Sequence, residues 1–168
     1  MKNILLIGCG HMGGSLMSGW SNSKNYTISV IDKKKYAILK KRNRNKKIKF
    51  FKSIDDINNQ NNLDYIIFAT RPLELTNVFK ELKNANFNKK SIAISVIAGK
   101  KTEIFKKNLL NISKIVRVMP NMPALIGEGV HCIYTNKSIN KKEIKEIDKL
   151  FSLSGKTLFF NSETFIDK

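Results

Sequence analysis

Cysteine, proline and tryptophan are scarce in this sequence of 168 residues, which contains two, three and one of them, respectively. Cys9 and Cys132 lie far apart, and neither belongs to a C-x-x-C or metal-like spacing, so we predict two buried free thiols and no metal site. Long apolar runs are also missing, since no stretch approaches the ~20 residues of a membrane span. The first apolar run is too short for a signal peptide, which favours a cytoplasmic protein.

Acidic residues are few beside basic ones, 13 against 31, and the formal net charge is +18. Such a charge raises the hypothesis of a basic nucleic-acid-binding protein. The arginines are only Arg42, Arg44, Arg71 and Arg117, the lysines are scattered, and no aromatic residues are interleaved with the basic runs. A single-strand platform needs such aromatic residues. We therefore favour a solvated lysine-rich surface and keep nucleic-acid binding as the weaker alternative.

Short apolar segments alternate with helical patterns along the whole chain. Strands are predicted at residues 3–7, 26–31, 48–51, 64–69, 90–96, 112–118, 130–135 and 156–160, with little structure afterwards. Helices are predicted at 11–22, 36–45, 73–85 (opened by Pro72), 103–110 (capped by Thr102) and 141–153, with a short capped helix at 53–57 and an exposed, slightly extended loop at 58–62. This order indicates a single α/β domain of the Rossmann type, doubly wound, whose mostly parallel sheet carries extra strands at one edge.

A glycine-rich turn follows the first predicted strand directly. Gly8, Gly10 and Gly13 form the pattern G-x-G-x-x-G, in the order strand, turn and helix that a dinucleotide-binding unit needs. We predict that Gly8 makes the tight turn, that Gly10 lets a pyrophosphate approach the backbone, and that Gly13 lets the helix pack closely. The free N–H groups at the helix start would then face the phosphates. An ordinary glycine-rich turn is the alternative.

The end of the second predicted strand carries signals for both nicotinamide cofactors. Asp32 stands where an acidic residue usually accepts hydrogen bonds from the ribose hydroxyls, which favours NAD. Lys33, Lys34 and Lys35 follow it and would suit the 2′-phosphate of NADP. The residues therefore predict NADP or NAD, with NADPH slightly favoured.

Four segments of the chain resemble, in the same order, motifs of the pyrroline-5-carboxylate reductases, the last enzymes of proline biosynthesis. They are IGCGHMGG at residues 7–14, ATRP at 69–72, ISVIAG at 94–99 and RVMPNMPALIGEG at 117–129. The last is the most specific. The sequence departs from the family pattern at four positions, where His11, Arg71 and Met122 replace asparagine, lysine and threonine, and Lys100 replaces an apolar residue.

The resemblance implies hydride transfer from NAD(P)H to the C=N carbon of 1-pyrroline-5-carboxylate, which gives L-proline. We predict that Pro120, Asn121, Met122 and Pro123 form the wall on the nicotinamide side. No general acid is identified, and His131 is interpreted as a packed residue. The predicted cofactor-binding residues are Ile7, Gly8, Gly10, His11, Met12, Gly13, Asp32, Lys33, Lys34, Ala69, Thr70, Arg71, Pro72, Val96, Ile97, Ala98 and Asn121.

The resemblance also implies a second domain. Members of the family continue, after a segment like residues 163–167, into a helical domain that forms the homo-oligomer and holds the substrate carboxylate. We therefore expect residues 1–160 to form the dinucleotide-binding domain and 161–168 to begin the connection. The chain alone is then expected to bind NAD(P)H weakly and to be nearly inactive. A non-catalytic NAD(P)-binding or partner-binding module is the alternative.

Overall fold

The computed structural model of the protein describes residues 1–121 and 129–166. Within these ranges the strands are β1 (Lys2–Ile7), β2 (Tyr26–Ile31), β3 (Ile48–Phe51), β4 (Tyr65–Phe68), β5 (Ile92–Ser95), β6 (Lys114–Pro120), β7 (Gly129–Thr135) and β8 (Gly155–Phe160). The helices are α1 (His11–Ser21), α2 (Tyr36–Arg42), α3 (Leu75–Glu81), α4 (Thr102–Asn108) and α5 (Lys141–Phe151). Short 3₁₀ turns lie at Ile54–Asp56, Gln60–Asn62 and Glu163–Phe165.

The strands form one sheet in the order β3-β2-β1-β4-β5-β6-β7-β8. The pairs from β3 to β6 are parallel, β7 runs antiparallel to β6, and β8 is again parallel to β7. The first six positions follow the strand order of a Rossmann fold, in which the chain reverses direction across the sheet between β1 and β4. The predicted Rossmann-type sheet with extra strands at one edge is therefore confirmed.

Helices cover both faces of the sheet, so its central strands are buried on both sides. Leu16 and Trp20 of α1 and Leu150 of α5 pack on one face, while Phe79 of α3 and Phe105 of α4 pack on the other. Strands β4 and β5 are buried at every position. Their near-continuous apolar sequences are what a parallel sheet with two covered faces requires.

A close contact between α1 and the end of α5 joins the edge strands to the first half of the fold. The indole Nε1 of Trp20 donates a hydrogen bond to the carbonyl of Leu150 at 3.1 Å. A Cβ on Gly19 would lie 3.2 Å from the Leu153 carbonyl oxygen. This small residue therefore allows α1 to approach the turn that follows α5 closely.

Several predicted boundaries are wrong, and local turns explain them. The helix expected from residue 73 begins at Leu75, because the Glu74 N–H bonds to the Arg71 carbonyl at 3.0 Å and closes a turn. Helix α4 begins at Thr102 itself, with Lys101 at its N-cap. The predicted extended loop at 58–62 contains the 3₁₀ turn Gln60–Asn62.

Beyond residue 160, little structure was expected, yet the turn Glu163–Phe165 forms and Ile166 is buried. Other elements are shorter or shifted: α2 ends at Arg42, β5 spans Ile92–Ser95 and β6 spans Lys114–Pro120.

Both cysteines are free, as predicted from their spacing. Cys9 is buried, but Cys132 is only half-buried, because it lies on the less covered face of β7, along which buried and partly exposed residues alternate. Within residues 1–121 and 129–166, none of the helices combines the length and apolar character that crossing a membrane requires.

Candidate functional site

The predicted site residues gather at one edge of the sheet, where the parallel strands end. Ile7 ends β1, Asp32 follows β2, Ala69 follows β4 and Val96 follows β5. Because these strands are parallel, their carboxyl ends share one edge. The edge includes the point between β1 and β4 at which the strand order reverses, and open α/β sheets bind ligands there.

Two glycines allow the turn after β1 to pack against its neighbours. Gly8 has a φ of +93°, and a Cβ there would lie 2.7 Å from the Ala69 carbonyl oxygen. A Cβ on Gly13 would lie 2.3 Å from the Gly8 carbonyl oxygen. Real Cβ atoms do not approach so closely, so both positions require glycine. The tight turn predicted at Gly8 and the close helix packing predicted at Gly13 are confirmed.

Gly10 differs from the other two glycines. Among residues 1–121 and 129–166, a Cβ built on it would meet nothing within 4 Å, so the space above its backbone is open on the side of these residues. Gly10 is the N-cap residue of α1, no side chain of the described residues caps this helix, and its first turn carries no acidic residue. The first N–H groups of a helix have no partner within the helix. They therefore border an open space that suits an anion.

The residues after β4 lie against the glycine turn. The Ala69 N–H donates to the Ile7 carbonyl at 2.8 Å and so continues the pairing of β1 with β4. The Thr70 hydroxyl is buried and has no hydrogen-bond partner within the described part of the chain. Such a group usually has a partner, so it is available to a ligand. Arg71 and Pro72 are exposed beside it.

Asp32 holds the turn in place through backbone hydrogen bonds. Its Oδ2 accepts from the Cys9 N–H at 2.8 Å, and its Oδ1 accepts from the Lys35 N–H at 3.0 Å. The Lys35 ammonium group in turn donates to the Cys9 carbonyl at 3.1 Å. Burial, with a contribution from Asp32, raises the pKa of the Cys9 thiol. Asp32 therefore shapes the glycine turn, in addition to the ribose contact predicted for it.

Lys33 and Lys34 do not project freely toward the site. Lys33 Nζ lies 2.6 Å from Glu81 Oε1, and Lys34 Nζ lies 2.6 Å from Glu74 Oε1. The hydrogen bond from Lys34 lowers the pKa of Glu74, which keeps this carboxyl group ionised. Both pairs are partly solvent-exposed, and each links the loop after β2 to α3 or to the turn before it.

A cleft of about 210 Å³ lies between these segments. It is bordered by the ends of β1, β2 and β4 and by one side of α3. Its lining consists of Ile7, Gly8, Ile31, Asp32, Lys33, Lys34, Thr70, Glu74, Asn77, Val78 and Glu81. Six of the predicted cofactor-binding residues therefore meet around one cavity.

The segments after β5 and β6 differ in which of their groups are available to a ligand. The side chains of Val96 and Ile97 are buried in the cores on the two faces of the sheet, so only their backbone groups are available, whereas Ala98 is exposed. Pro120 is buried at the end of β6. Asn121 accepts from the Val130 N–H at 2.8 Å and so joins β6 to β7. Met122 and Pro123, predicted for the nicotinamide wall, lie outside the described residues.

His131 is fully buried, as predicted. Its Nε2 lies 2.9 Å from the Ser154 hydroxyl, and that hydroxyl donates to the Phe151 carbonyl at 3.1 Å. Burial lowers the pKa of His131, in keeping with a packed rather than a catalytic residue.

Sequence reasoning missed the acidic partners around the site. Glu74 and Glu81 are seven residues apart, which places them on one side of a helix, but their lysine partners are 40 and 48 residues away in the chain. Glu163 was missed as well: it accepts hydrogen bonds from the Thr102 N–H at 2.7 Å and its hydroxyl at 3.0 Å, and lies 3.5 Å from Arg117.

Comparison with protein families agrees with this geometry. The sequence model of the family described as "NADP oxidoreductase coenzyme F420-dependent" matches residues 3–99. The chain belongs to this family. The matched region runs from β1 to the loop after β5 and therefore contains the glycine turn, Asp32 and the cleft.

Curated relatives and solved structures carry the name suggested by the four motifs. The chain is 29% identical over 169 residues to the pyrroline-5-carboxylate reductase of Haemophilus influenzae, with 97% of this chain and 59% of that protein covered. A pyrroline-5-carboxylate reductase of Coxiella burnetii superposes with a TM-score of 0.82 at 24% identity, covering 98% of this chain and 61% of that one. The Plasmodium falciparum pyrroline carboxylate reductase, solved with NADP bound, superposes with a TM-score of 0.76 at 22% identity, covering 98% of this chain and 59% of that one. The chain thus spans about three fifths of the length of these proteins.

Proposed function

We propose that this chain binds NADP or NAD at the carboxyl edge of its sheet and supplies the cofactor-binding part of a pyrroline-5-carboxylate reductase. The similarity to curated reductases over 97% of the chain supports the substrate class. The family match over residues 3–99 supports the nicotinamide cofactor.

One observation carries the proposal: the open space above Gly10 at the start of α1. Gly8 and Gly13 are required by packing within the protein, whereas none of the residues that the structure describes fills the position of a Gly10 Cβ. A pyrophosphate would fit there, because the N–H groups of the first turn of α1 and the helix dipole favour negative charge. The Thr70 hydroxyl, which has no hydrogen-bond partner among the described residues, lies after the neighbouring strand.

The proposed roles of the other residues follow from their positions. His11 and Met12 would contact the pyrophosphate from the first turn of α1, and Asp32 would border the ribose of the adenosine half. Residues 69–72 and the backbone of 96–98 would support the nicotinamide half, with Asn121 at its side. Bound NAD(P)H supplies the hydride that reduces the C=N bond. The protein's own contribution is to hold the two reacting carbons in a fixed orientation.

Calorimetric titration of the purified chain with NADPH and then NADH tests the cofactor site. We expect saturable binding that is lost in Gly10→Val, because the added side chain would occupy the space left for the pyrophosphate. The matched control is Gly14→Ala, whose added methyl group would meet, among the described residues, only the Cys9 sulfur at 3.9 Å. Binding by Gly10→Val equal to that of the unmodified chain, with both variants folded, would contradict the proposal.

A reductase assay tests the substrate class separately. Oxidation of NAD(P)H that depends on 1-pyrroline-5-carboxylate, followed at 340 nm, is measured for the purified chain. We expect proline to form slowly, in step with cofactor oxidation, and its formation to disappear with Gly10→Val. Cofactor binding without any proline formation would favour a non-catalytic binding module instead.

A further inference from the structure

Two lysine–glutamate pairs cross the cleft beside the glycine turn. Lys33 and Lys34 belong to the loop after β2, whereas their partners Glu81 and Glu74 lie on α3 and at its N-cap. Each pair has a nitrogen–oxygen distance of 2.6 Å. The four side chains therefore connect the two walls of the cleft.

The side chains that line this cleft carry no excess of positive charge with which to bind a phosphate group. Its lining contains two ammonium groups, on Lys33 and Lys34, and three carboxylates, on Asp32, Glu74 and Glu81. The Asp32 carboxylate accepts hydrogen bonds from backbone N–H groups and does not pair with the lysines. Each lysine is instead neutralised by one of the two glutamates. A ribose hydroxyl is uncharged and tolerates such a lining. A phosphate monoester carries up to two negative charges at neutral pH and would have to displace the glutamates from the lysines.

On the proposed function, this cleft receives the adenosine ribose, because it lies at the end of β2 next to Asp32. We propose that Glu74 and Glu81 are specificity-determining residues, which weaken the binding of NADPH selectively by holding Lys34 and Lys33 in ion pairs. NADH lacks the 2′-phosphate, so its binding does not require these lysines to be released from their ion pairs. The glutamates act through the lysines and take no part in hydride transfer.

The test compares affinities for the two reduced cofactors in Glu74→Gln, Glu81→Gln and the double variant. Titration is followed by the fluorescence of the bound nicotinamide and by calorimetry. We expect the double variant to bind NADPH about five-fold more tightly, as the loss of two partly exposed ion pairs implies, whereas the affinity for NADH stays within about two-fold. Raising the salt concentration should shrink the difference, because the pairs are partly exposed.

The matched control is Glu103→Gln, which removes the same charge from an exposed pair with Lys107 on α4. It should leave the ratio of the two affinities unchanged. A ratio that stays constant in the double variant, or that moves equally in Glu103→Gln, would overturn the inference and leave the proposed cofactor site intact. Failure of the unmodified chain and of every folded variant to bind either cofactor would reject the proposed function and this inference together.

Adenosine fragments isolate the 2′-phosphate from the rest of the cofactor. The unmodified chain and the double variant are titrated with 2′,5′-ADP and with 5′-AMP, which differ only in that group. We expect the double variant to gain affinity for 2′,5′-ADP alone. An equal gain for both fragments would show that the glutamates merely narrow the cleft, and would overturn the role of the lysines.

Discussion

Asp32 and Cys9 lie 23 residues apart in the chain, and a hydrogen bond of 2.8 Å joins the Cys9 N–H to the Asp32 carboxylate. The second carboxylate oxygen accepts from the Lys35 N–H at 3.0 Å. One side chain at the end of β2 therefore fixes the middle of the glycine turn after β1. The fold therefore uses the carboxylate of Asp32 even without a bound ribose.

We expect Asp32→Asn to destabilise the protein as well as to weaken cofactor binding. The amide keeps one acceptor oxygen, so one of the two backbone N–H groups loses its partner, and the remaining bond loses its charge. Hydrogen bonds to charged groups are worth about 1.5–3 kcal/mol, so the free energy of unfolding should fall by about that amount. Urea unfolding measures it. Unchanged stability with lost binding would show that Asp32 serves the ligand only.

We predict opposite effects for two neighbouring glycines of α1. Gly13→Ala would place a Cβ 2.3 Å from the Gly8 carbonyl oxygen, and overpacking of this kind costs about 1–3 kcal/mol. Within the described part of the chain, the methyl group of Gly14→Ala would meet only the Cys9 sulfur at 3.9 Å, so this variant should stabilise the helix by about 0.5–1 kcal/mol. Thermal unfolding of both variants checks the pair. Equal shifts in the same direction would contradict the packing role of Gly13.

The parts of this fold that could be predicted from the sequence are those written in local patterns. The strand and turn around Gly8 and the capping box of Asn140 and Glu143 are contained in a few neighbouring residues. The alternation of strands and helices then leaves few topologies, because parallel crossovers are right-handed. These features gave the Rossmann sheet and the position of the glycine turn.

Contacts between distant residues could not be predicted in the same way. The pair of Lys34 and Glu74 bridges 40 residues, and the contact of Thr102 with Glu163 bridges 61. Neither partner stands out locally in a chain with 31 basic residues. The antiparallel direction of β7 was also open, because an alternating strand sequence does not encode the direction of its neighbour.

The burial of His131 makes the stability of the protein depend on pH. Its pKa in the folded state is lowered from the ordinary value of 6.5, so the unfolded chain takes up a proton first as the pH falls. The free energy of unfolding should therefore decrease below about pH 6.5, by at most about 1.4 kcal/mol per pH unit for this single proton. Above that pH, His131 does not change the dependence of the free energy of unfolding on pH.

Urea unfolding between pH 8 and pH 5 measures this dependence for the protein and for His131→Gln, each relative to its own stability at pH 8. The variant should show a shallower decline, since glutamine does not titrate. His11→Gln, which alters an exposed histidine, is the control for the loss of a histidine as such. Parallel curves for the protein and for His131→Gln would refute the assignment.

Glu163 should contribute to stability although it lies close to the end of the chain. Its carboxylate accepts from the N–H and hydroxyl of Thr102 and lies 3.5 Å from the guanidinium of Arg117, which is only 1% exposed. Glu163→Gln removes the charge beside a buried cation and weakens the bonds to the start of α4. We expect a loss of about 1–3 kcal/mol in the free energy of unfolding. Glu103→Gln, in the solvent-exposed pair on the same helix, should cause no measurable loss. Equal stability of the two variants would mean that the Glu163 carboxylate adds nothing to the stability of the fold.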